Sequence, residues 1–160
     1  MQKLHKIYTV ILMKSKNVVI IGHKDIGNLS ETYVDMQIEN LIRQGYTTFF
    51  CGGMGYFDIL CAKTVHLKKS IYPDVKCLLI IPYLSFSISS KDIYDEIIYP
   101  EGFEDYYFKK ALIKRNKYMV DNASLAFCYV CHTFGGAFRT YNYAEKQGLK
   151  INNIGTLKND

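Results

Sequence analysis

The stretch TTFFCGGMGYFD, residues 47–58, decides how the rest of the sequence is interpreted. Its first five residues are β-branched, aromatic or apolar and predict a strand. Gly52, Gly53 and Gly55 follow, and the apolar pattern after them predicts a helix over residues 57–70. Glycines between a strand and a helix let the backbone approach an anion closely, and the free N–H groups of the helix start attract negative charge. A tight turn without a ligand is the alternative.

Outward from this stretch, strands and helices alternate along the chain. The predicted strands cover residues 18–21, 47–51, 76–81, 124–130 and 151–154. One predicted helix follows Ser30 as its N-cap, and the others cover residues 57–70, 106–121 and 140–147. This alternation predicts a Rossmann-like α/β fold, in which helices flank a doubly wound and mostly parallel sheet.

The length of 160 residues suits one domain. We assign residues 17–157 to it and residues 1–16 to an N-terminal extension or edge segment. Met13 is an alternative translation start, and the sequence leaves the choice open.

Composition and charge exclude several classes of protein. Apolar residues make up 49% and charged residues 22%, as in globular domains rather than disordered chains. The net charge of +5 comes mainly from scattered lysines, so a nucleic-acid partner is disfavoured. No stretch approaches the roughly 20 apolar residues of a membrane span. We expect a cytoplasmic protein that has no membrane partner and whose five cysteines are free thiols.

The segment of residues 83–105 is long, aromatic and weakly periodic. A loop of this length inside a domain is usually functional or hides a short helix. Its aromatic side chains could stack on the bases of single-stranded nucleic acid. A lid over the crevice or a surface between copies of the chain is the interpretation we favour. The aromatic residues concerned are Tyr83, Phe86, Tyr94, Tyr99 and Phe103.

A second glycine pair, Gly135 and Gly136, also lies between a predicted strand and a predicted helix. Arg139 and Thr140 are predicted to lie in the first turn of that helix. A cation is disfavoured there, so Arg139 indicates an anionic partner, with a solvated surface arginine as the alternative. The carboxyl ends of parallel strands share one edge, so both glycine loops are expected to open onto one crevice.

Arg115 interrupts the apolar stripe of the predicted helix over residues 106–121 and is followed by Asn116. A buried arginine needs a partner or a path to solvent. A phosphate is one candidate partner; Asp121, Glu104 or the end of a helix are the others.

Two further patterns are discounted. Gly22 and Gly27 have the spacing of a P-loop, but Asn28 and Leu29 replace its lysine and hydroxyl residue. The pattern Cys-x-x-Cys-His at residues 128–132 matches a haem attachment motif, yet it lies on a predicted strand and offers too few ligands for zinc. We therefore expect neither a metal nor a cofactor.

In their order and spacing these motifs resemble the SLOG superfamily of Rossmann-like proteins, especially its YpsA-like branch. That superfamily also holds the LONELY GUY phosphoribohydrolases and the DNA-processing DprA proteins. The features run over residues 18–154, nearly the whole chain. The matching residues are Gly22 and His23, the Gly52–Gly55 segment with Asp58, Arg115 with Asn116, and Gly135 with Gly136.

The resemblance implies a nucleotide or nucleotide-derived, ADP-ribose-like ligand, held by a sensor or sequestering protein that we expect to be a homo-oligomer. It implies that the glycines of both loops and Thr140 cradle phosphate, that Arg115 pairs with it, and that the His23 loop lines the other side. The expected ligand-binding residues are Gly22, His23, Gly52, Gly53, Gly55, Asp58, Arg115, Asn116, Gly135, Gly136, Arg139 and Thr140.

The hydrolytic LONELY GUY branch carries P-G-G-x-G-T-x-x-E, and this chain departs from that motif. Phe134 replaces the proline, one residue is added before Thr140, and Tyr143 stands in place of the glutamate. Glu145 lies two residues later, about 200° around a helix. The departure favours binding over catalysis. If the chain is a hydrolase, Asp58 and Glu145 are the candidate acid/base residues; otherwise Asp58 complements the helix dipole or holds a ribose hydroxyl or a metal-bound water. DprA-like binding of single-stranded DNA is the third hypothesis.

Overall fold

The computed structural model describes residues 13–158. Its strands are β1 (Asn17–Gly22), β2 (Thr48–Cys51), β3 (Lys76–Ile80), β4 (Glu96–Ile98), β5 (Leu125–Tyr129) and β6 (Lys150–Asn153). Its helices are α1 (Glu31–Arg43), α2 (Tyr56–Lys68), α3 (Phe108–Asp121) and α4 (Gly135–Lys146). Residues 1–12, where an extension or edge strand was predicted, lie outside the described residues.

All six strands are parallel and lie in the order β4-β3-β2-β1-β5-β6. The predicted Rossmann-like α/β fold is therefore confirmed. The chain winds outward from β1 to β4 on one side and returns to β5 on the other, so β1 and β5 border the switch point of the sheet. In such sheets the carboxyl ends of the strands at the switch point frame the binding crevice.

The two faces of the sheet carry separate cores. Val18 and Ile20 of β1 pack with α1 and α2, whereas Val19 and Ile21 pack with α3 and α4. All four side chains are buried. This double coverage explains why β1 is a continuous apolar run rather than an alternating pattern.

Strand β4 was not predicted, so the segment at residues 124–130 is the fifth strand of the chain and not the fourth. β4 has three residues at the edge of the sheet, and Glu96 and Ile97 are both exposed. Such a strand has neither an apolar run nor a clear alternation. Two 3₁₀ helices, Lys91–Ile93 and Phe103–Asp105, also lie in the aromatic segment, so a short helix, one of the two alternatives for it, is present.

Helix α4 begins at Gly135, five residues before its predicted start. Gly135 has a left-handed φ of +86°, a conformation that glycine adopts without strain. Arg139 and Thr140 are therefore the fifth and sixth residues of α4, beyond its first turn, and the prediction for their position was wrong. The inference of an anion from a cation at the helix start no longer applies to Arg139. None of the helices between residues 13 and 158 is long and apolar enough to cross a bilayer.

Candidate ligand-binding site

A cavity of about 760 Å³ lies at the carboxyl ends of β1 and β2, against α3 and α4. Nine of the twelve predicted ligand-binding residues line it. They are Gly22, His23, Gly52, Asp58, Arg115, Asn116, Gly136, Arg139 and Thr140. The structure thus brings both glycine loops and the Arg115-Asn116 pair to one crevice, as expected for parallel strands.

Four other candidates do not line this cavity. Gly53 and Gly55 lie on the same loop as Gly52 but pack against protein atoms, and Gly135 precedes Gly136 at the start of α4. Glu145 is exposed on α4 and is likewise not among the lining residues. Of the two candidate carboxylates, Asp58 alone is placed to reach a ligand in this cavity.

Arg115 is buried, with 3% of its surface exposed, and its guanidinium bonds to the ends of two strands. Nη1 donates to the carbonyl oxygens of Gly52 and Ile80 at 2.6 and 3.0 Å. Nη2 lies 3.4 Å from the sulfur of Met54. These partners are neither Asp121, Glu104 nor a helix end. Arg115 therefore ties the carboxyl ends of β2 and β3 together beside the cavity.

A chain of hydrogen bonds leads from Arg115 to the second glycine loop. Arg115 Nε donates to Asn116 Oδ1 at 2.8 Å, and Asn116 Nδ2 donates to Thr140 Oγ1 at 3.1 Å. Thr140 in turn donates to the Gly136 carbonyl at 2.9 Å. Because its proton is used in that bond, Thr140 supports the loop and has no free proton for a phosphate in this conformation.

Asp58 is the third residue of α2, and only 8% of it is exposed. Burial raises the pKa of its carboxyl from 3.8 to about 6, although the charge of Arg115 and the amides of Met54 and Gly52 act in the opposite direction. A carboxyl whose pKa lies near neutrality can both accept and release a proton at physiological pH. The site therefore contains one group capable of acid/base chemistry.

The lining of the cavity is strongly cationic. Among the described residues that line it, Asp58 is the one acidic side chain. The cationic ones are Lys24, Lys109, Arg115, Lys117 and Arg139. An excess of positive charge around a concave surface favours an anionic occupant.

The three lysines among these cations were not predicted from the sequence. Apart from Arg115 and Met119, the residues of α3 that line the cavity follow the i, i+3, i+4, i+7, i+8 spacing of one helix face. They are Lys109, Leu112, Ile113, Asn116 and Lys117. That spacing was readable in the sequence and is the signal that could have found Lys109 and Lys117.

Other parts of the protein occupy the space beside the glycines of the first loop. A Cβ atom added at Gly52 would lie 3.0 Å from Arg115 Cζ. The contacts at the other positions would be shorter: Leu79 Cδ1 at 2.7 Å from Gly53, and the backbone Cα of Lys24 at 2.8 Å from Gly55. At Gly22, on β1, a Cβ would lie 2.2 Å from Phe57. Internal packing, together with the left-handed φ of Gly53 and Gly55, accounts for these glycines.

The surroundings of Gly135 and Gly136 are empty by comparison. No atom lies within 4 Å of a Cβ added at either residue. Gly135 has a φ of +86°, which favours glycine, but Gly136 does not have a left-handed backbone. Within residues 13–158, neither packing nor backbone conformation explains why Gly136 is a glycine.

Solved structures with this fold include two DprA proteins. DNA processing protein A from Helicobacter pylori, described for its single-stranded DNA binding mode, is 15% identical with a TM-score of 0.65, over 95% of this chain and 70% of that one. DprA from Streptococcus pneumoniae is 14% identical with a TM-score of 0.64, and the match covers 89% of this chain but only 51% of that one. The structural-genomics target TM1055 is 15% identical with a TM-score of 0.59, over 85% of this chain and 72% of that one.

These likenesses establish a DprA-like fold and nothing finer, because the sequence identities are low. This chain spans about half the length of the Streptococcus pneumoniae protein. By sequence, no protein family and no curated protein matches this chain.

A stack of three rings, from His23, His132 and Phe134, stands beside the crevice. The ring centroids of His23 and His132 are 3.7 Å apart, and those of His132 and Phe134 are 3.8 Å apart. His23 lines the main cavity, and both histidines line a second depression of about 440 Å³. Burial and the neighbouring His132 lower the pKa of His23. Its Nε2 accepts the Cys131 amide at 3.0 Å, so the ring is neutral and carries its proton on Nδ1.

No group of three or more His, Cys, Asp or Glu side chains in residues 13–158 is arranged to hold a metal ion. The five cysteines, including those of the Cys-x-x-Cys-His pattern, are free thiols.

Proposed function

We propose that this chain binds a nucleotide or nucleotide-derived, ADP-ribose-like small molecule and acts as a sensor or sequestering protein. One observation carries the proposal: the cavity at the switch point of the sheet is lined by five cations and one carboxyl. The cavity volume of about 760 Å³ falls in the range of roughly 300–1,000 Å³ that holds small ligands.

The lining is not uniformly polar, which supports a ligand that has an apolar part as well as an anionic one. Met54, Leu112 and Ile113 contribute apolar surface to the same cavity. A free inorganic anion would gain nothing from contact with that apolar surface, whereas a nucleotide carries an aromatic base as well as its phosphate. The residues of the YpsA-like pattern are consistent with this ligand class, and we propose membership of that branch on the same grounds.

A thermal unfolding panel tests the proposal. The compounds are AMP, other nucleoside monophosphates, ADP-ribose, NAD and cyclic nucleotides. A ligand at 100 times its Kd stabilises the folded state by about 2.7 kcal/mol, which corresponds to a rise in Tm of several degrees at roughly 2–4 °C per kcal/mol. The absence of a shift with every compound, in protein that unfolds cooperatively, would overturn the proposal.

A matched pair of lysine variants tests whether the ligand binds in the cavity. Lys109 lines the cavity and Lys110 does not, although both are exposed on the same turn of α3. Lys109→Gln is expected to reduce the ligand-induced shift, and Lys110→Gln to leave it unchanged. Equal effects of the two variants would mean that the ligand binds elsewhere. Arg115 is unsuitable for this test because its hydrogen bonds hold two strands together.

A phosphoribohydrolase is the second candidate function, and the raised pKa of Asp58 favours it. Asp58 would protonate the leaving base or activate water at the ribosyl bond. Incubation with nucleoside monophosphates and analysis for free base tests this candidate, with Asp58→Asn as the inactive variant. No free base at high protein concentration would leave binding as the function.

Binding of single-stranded DNA is supported by the fold shared with the Helicobacter pylori DprA. The aromatic segment argues against the stacking mode considered for this chain, because Tyr94 and Phe103 are buried, at 9% and 7% exposed. The same burial argues against these two rings as a lid or an intersubunit surface. Binding to oligonucleotides that falls steeply with salt would favour this function. A homo-oligomer in the cytoplasm remains our prediction, and light scattering measures the oligomeric state.

A further inference from the structure

The outermost ring of the three-ring stack, Phe134, is 64% exposed. His132 covers one of its faces, with an angle of 18° between the two planes. In the described part of the chain, His132 is the ring that contacts Phe134, and the opposite face of Phe134 is free. A phenylalanine with one face supported and the other open is a ready stacking surface.

Hydrogen bonds with the backbone hold the two histidine rings of the stack in place. His23 accepts the Cys131 amide at 3.0 Å, and His132 Nδ1 lies 3.1 Å from the Phe134 carbonyl oxygen. His23 and His132 are nearly parallel, with 15° between their planes. The two histidine rings that support Phe134 are therefore positioned before any ligand arrives, which lowers the entropic cost of stacking on the outer ring.

Phe134 also lies close to Gly136, the glycine that neither packing nor backbone conformation explains. It is the N-cap residue of α4, directly before Gly135 and Gly136. Gly136 lines the main cavity, as does His23 at the other end of the stack. No atom lies within 4 Å of a Cβ added at Gly135 or Gly136, the two residues between the Phe134 ring and the rest of α4.

We propose that Phe134 is the stacking platform for the planar base of the ligand, whose phosphate lies in the adjacent cationic cavity. This inference rests on the proposed function and assigns the base to a position outside the cavity, on its rim. A flat heteroaromatic ring fits the exposed face of Phe134. Phe134 is only two residues before Gly136, which lines the cavity, so we infer that the base and the phosphate of one nucleotide occupy the two positions.

A tryptophan variant tests the proposal directly. The chain contains no tryptophan, so Phe134→Trp provides a single fluorophore at the proposed platform. Addition of AMP is expected to quench its fluorescence, whereas ribose 5-phosphate, which lacks the base, is expected to leave it unchanged. Tyr107→Trp is the matched control, because Tyr107 is exposed and does not line the cavity.

A truncation variant measures the contribution of the ring to affinity. Phe134→Ala is expected to weaken AMP binding roughly tenfold or more, as for loss of a base–aromatic stack. It is expected to leave ribose 5-phosphate binding unchanged. If the alanine variant does not fold, the fluorescence of Phe134→Trp still decides the question.

Other outcomes separate this inference from the proposed function. AMP binding to wild type that is unaffected by Phe134→Ala would overturn the platform and leave the proposed function standing. Quenching of Phe134→Trp by a short oligothymidylate alone would assign the ring to nucleic acid and overturn the proposal. Wild-type protein that binds neither AMP nor ribose 5-phosphate, nor any compound of the thermal panel, would overturn both.

Discussion

The two glycine loops look alike in the sequence but differ in what surrounds them. Around the first loop, a Cβ at Gly53 or Gly55 would lie less than 3.0 Å from another part of the protein. Around the second, a Cβ at Gly135 or Gly136 would meet no atom within 4 Å. Glycine at Gly53 and Gly55 is explained by packing inside the protein and by a left-handed backbone. Glycine at Gly136 has no such cause, so the second loop is the better candidate for close approach of a ligand.

The side chain that fills the first loop is expected to matter most for stability. Arg115→Met removes the donor to the Gly52 and Ile80 carbonyls and leaves Asp58 without its nearby positive charge. Removing one member of a buried polar group of this kind costs about 3–5 kcal/mol. Urea unfolding measures the change. A loss below about 0.5 kcal/mol, the size of an ordinary surface substitution, would show that the loop is not held by Arg115.

A comparison of two alanine variants separates close packing from backbone strain. Gly55 and Gly148 both have a left-handed φ, of +88° and +77°. A Cβ at Gly55 would also collide with the Lys24 backbone, whereas the space at Gly148 is open. We expect Gly55→Ala to cost about 2–4 kcal/mol and Gly148→Ala about 1 kcal/mol, from overpacking with strain and from strain alone. Equal losses in thermal unfolding would mean that the first loop moves aside without cost.

The sequence could predict most of the fold because the decisive strands are buried on both faces. The apolar run at residues 18–21 and the glycine boundaries left little choice of element. The edge strand at residues 96–98 could not be predicted, since these three residues, two of them exposed, owe their conformation to pairing with β3. The type of the other strands and of the α-helices followed from local sequence patterns. The edge strand β4 is the exception, because it forms by pairing with β3.

The candidate site could be predicted in position but not in the role of each residue. An arginine in an apolar stripe indicates burial, and Arg115 is buried. Its partners are carbonyls from β2 and β3, which the sequence cannot identify before the strand order is known. The reason why a given position must be glycine likewise depends on neighbouring atoms that are distant in sequence.

The dependence of stability on pH tests the buried carboxyl beneath the first loop. Because the folded-state pKa of Asp58 is raised to about 6 from 3.8, the folded state binds more protons between these two values. Its stability is therefore highest below pH 4 with respect to this group and falls as the pH rises through 6, by roughly 2–3 kcal/mol. We expect Asp58→Asn to remove this part of the pH dependence. Parallel curves for the two proteins, from urea unfolding at pH 4–8, would contradict the raised pKa.

The substitution Gly136→Ala is expected to change stability the least. It also distinguishes the two glycine loops best. Gly136 is the second residue of α4, in open space and without a left-handed φ. Alanine at such a position stabilises a protein by about 0.4–1 kcal/mol, because it restricts the unfolded chain. The added methyl group nevertheless takes space from the cavity that Gly136 lines, so ligand binding is expected to weaken while Tm rises.

Opposite changes in stability and affinity are the mark of a glycine retained for a ligand. Gly135→Ala is the control, because its φ of +86° makes alanine costly there, and both Tm and binding are expected to fall. If Gly136→Ala raises Tm and binds the ligand as wild type does, the second loop is an ordinary helix start. The distinction between the two loops would then lie only in how closely the protein packs around them, and the ligand would have to be sought nearer Asp58 and Arg115.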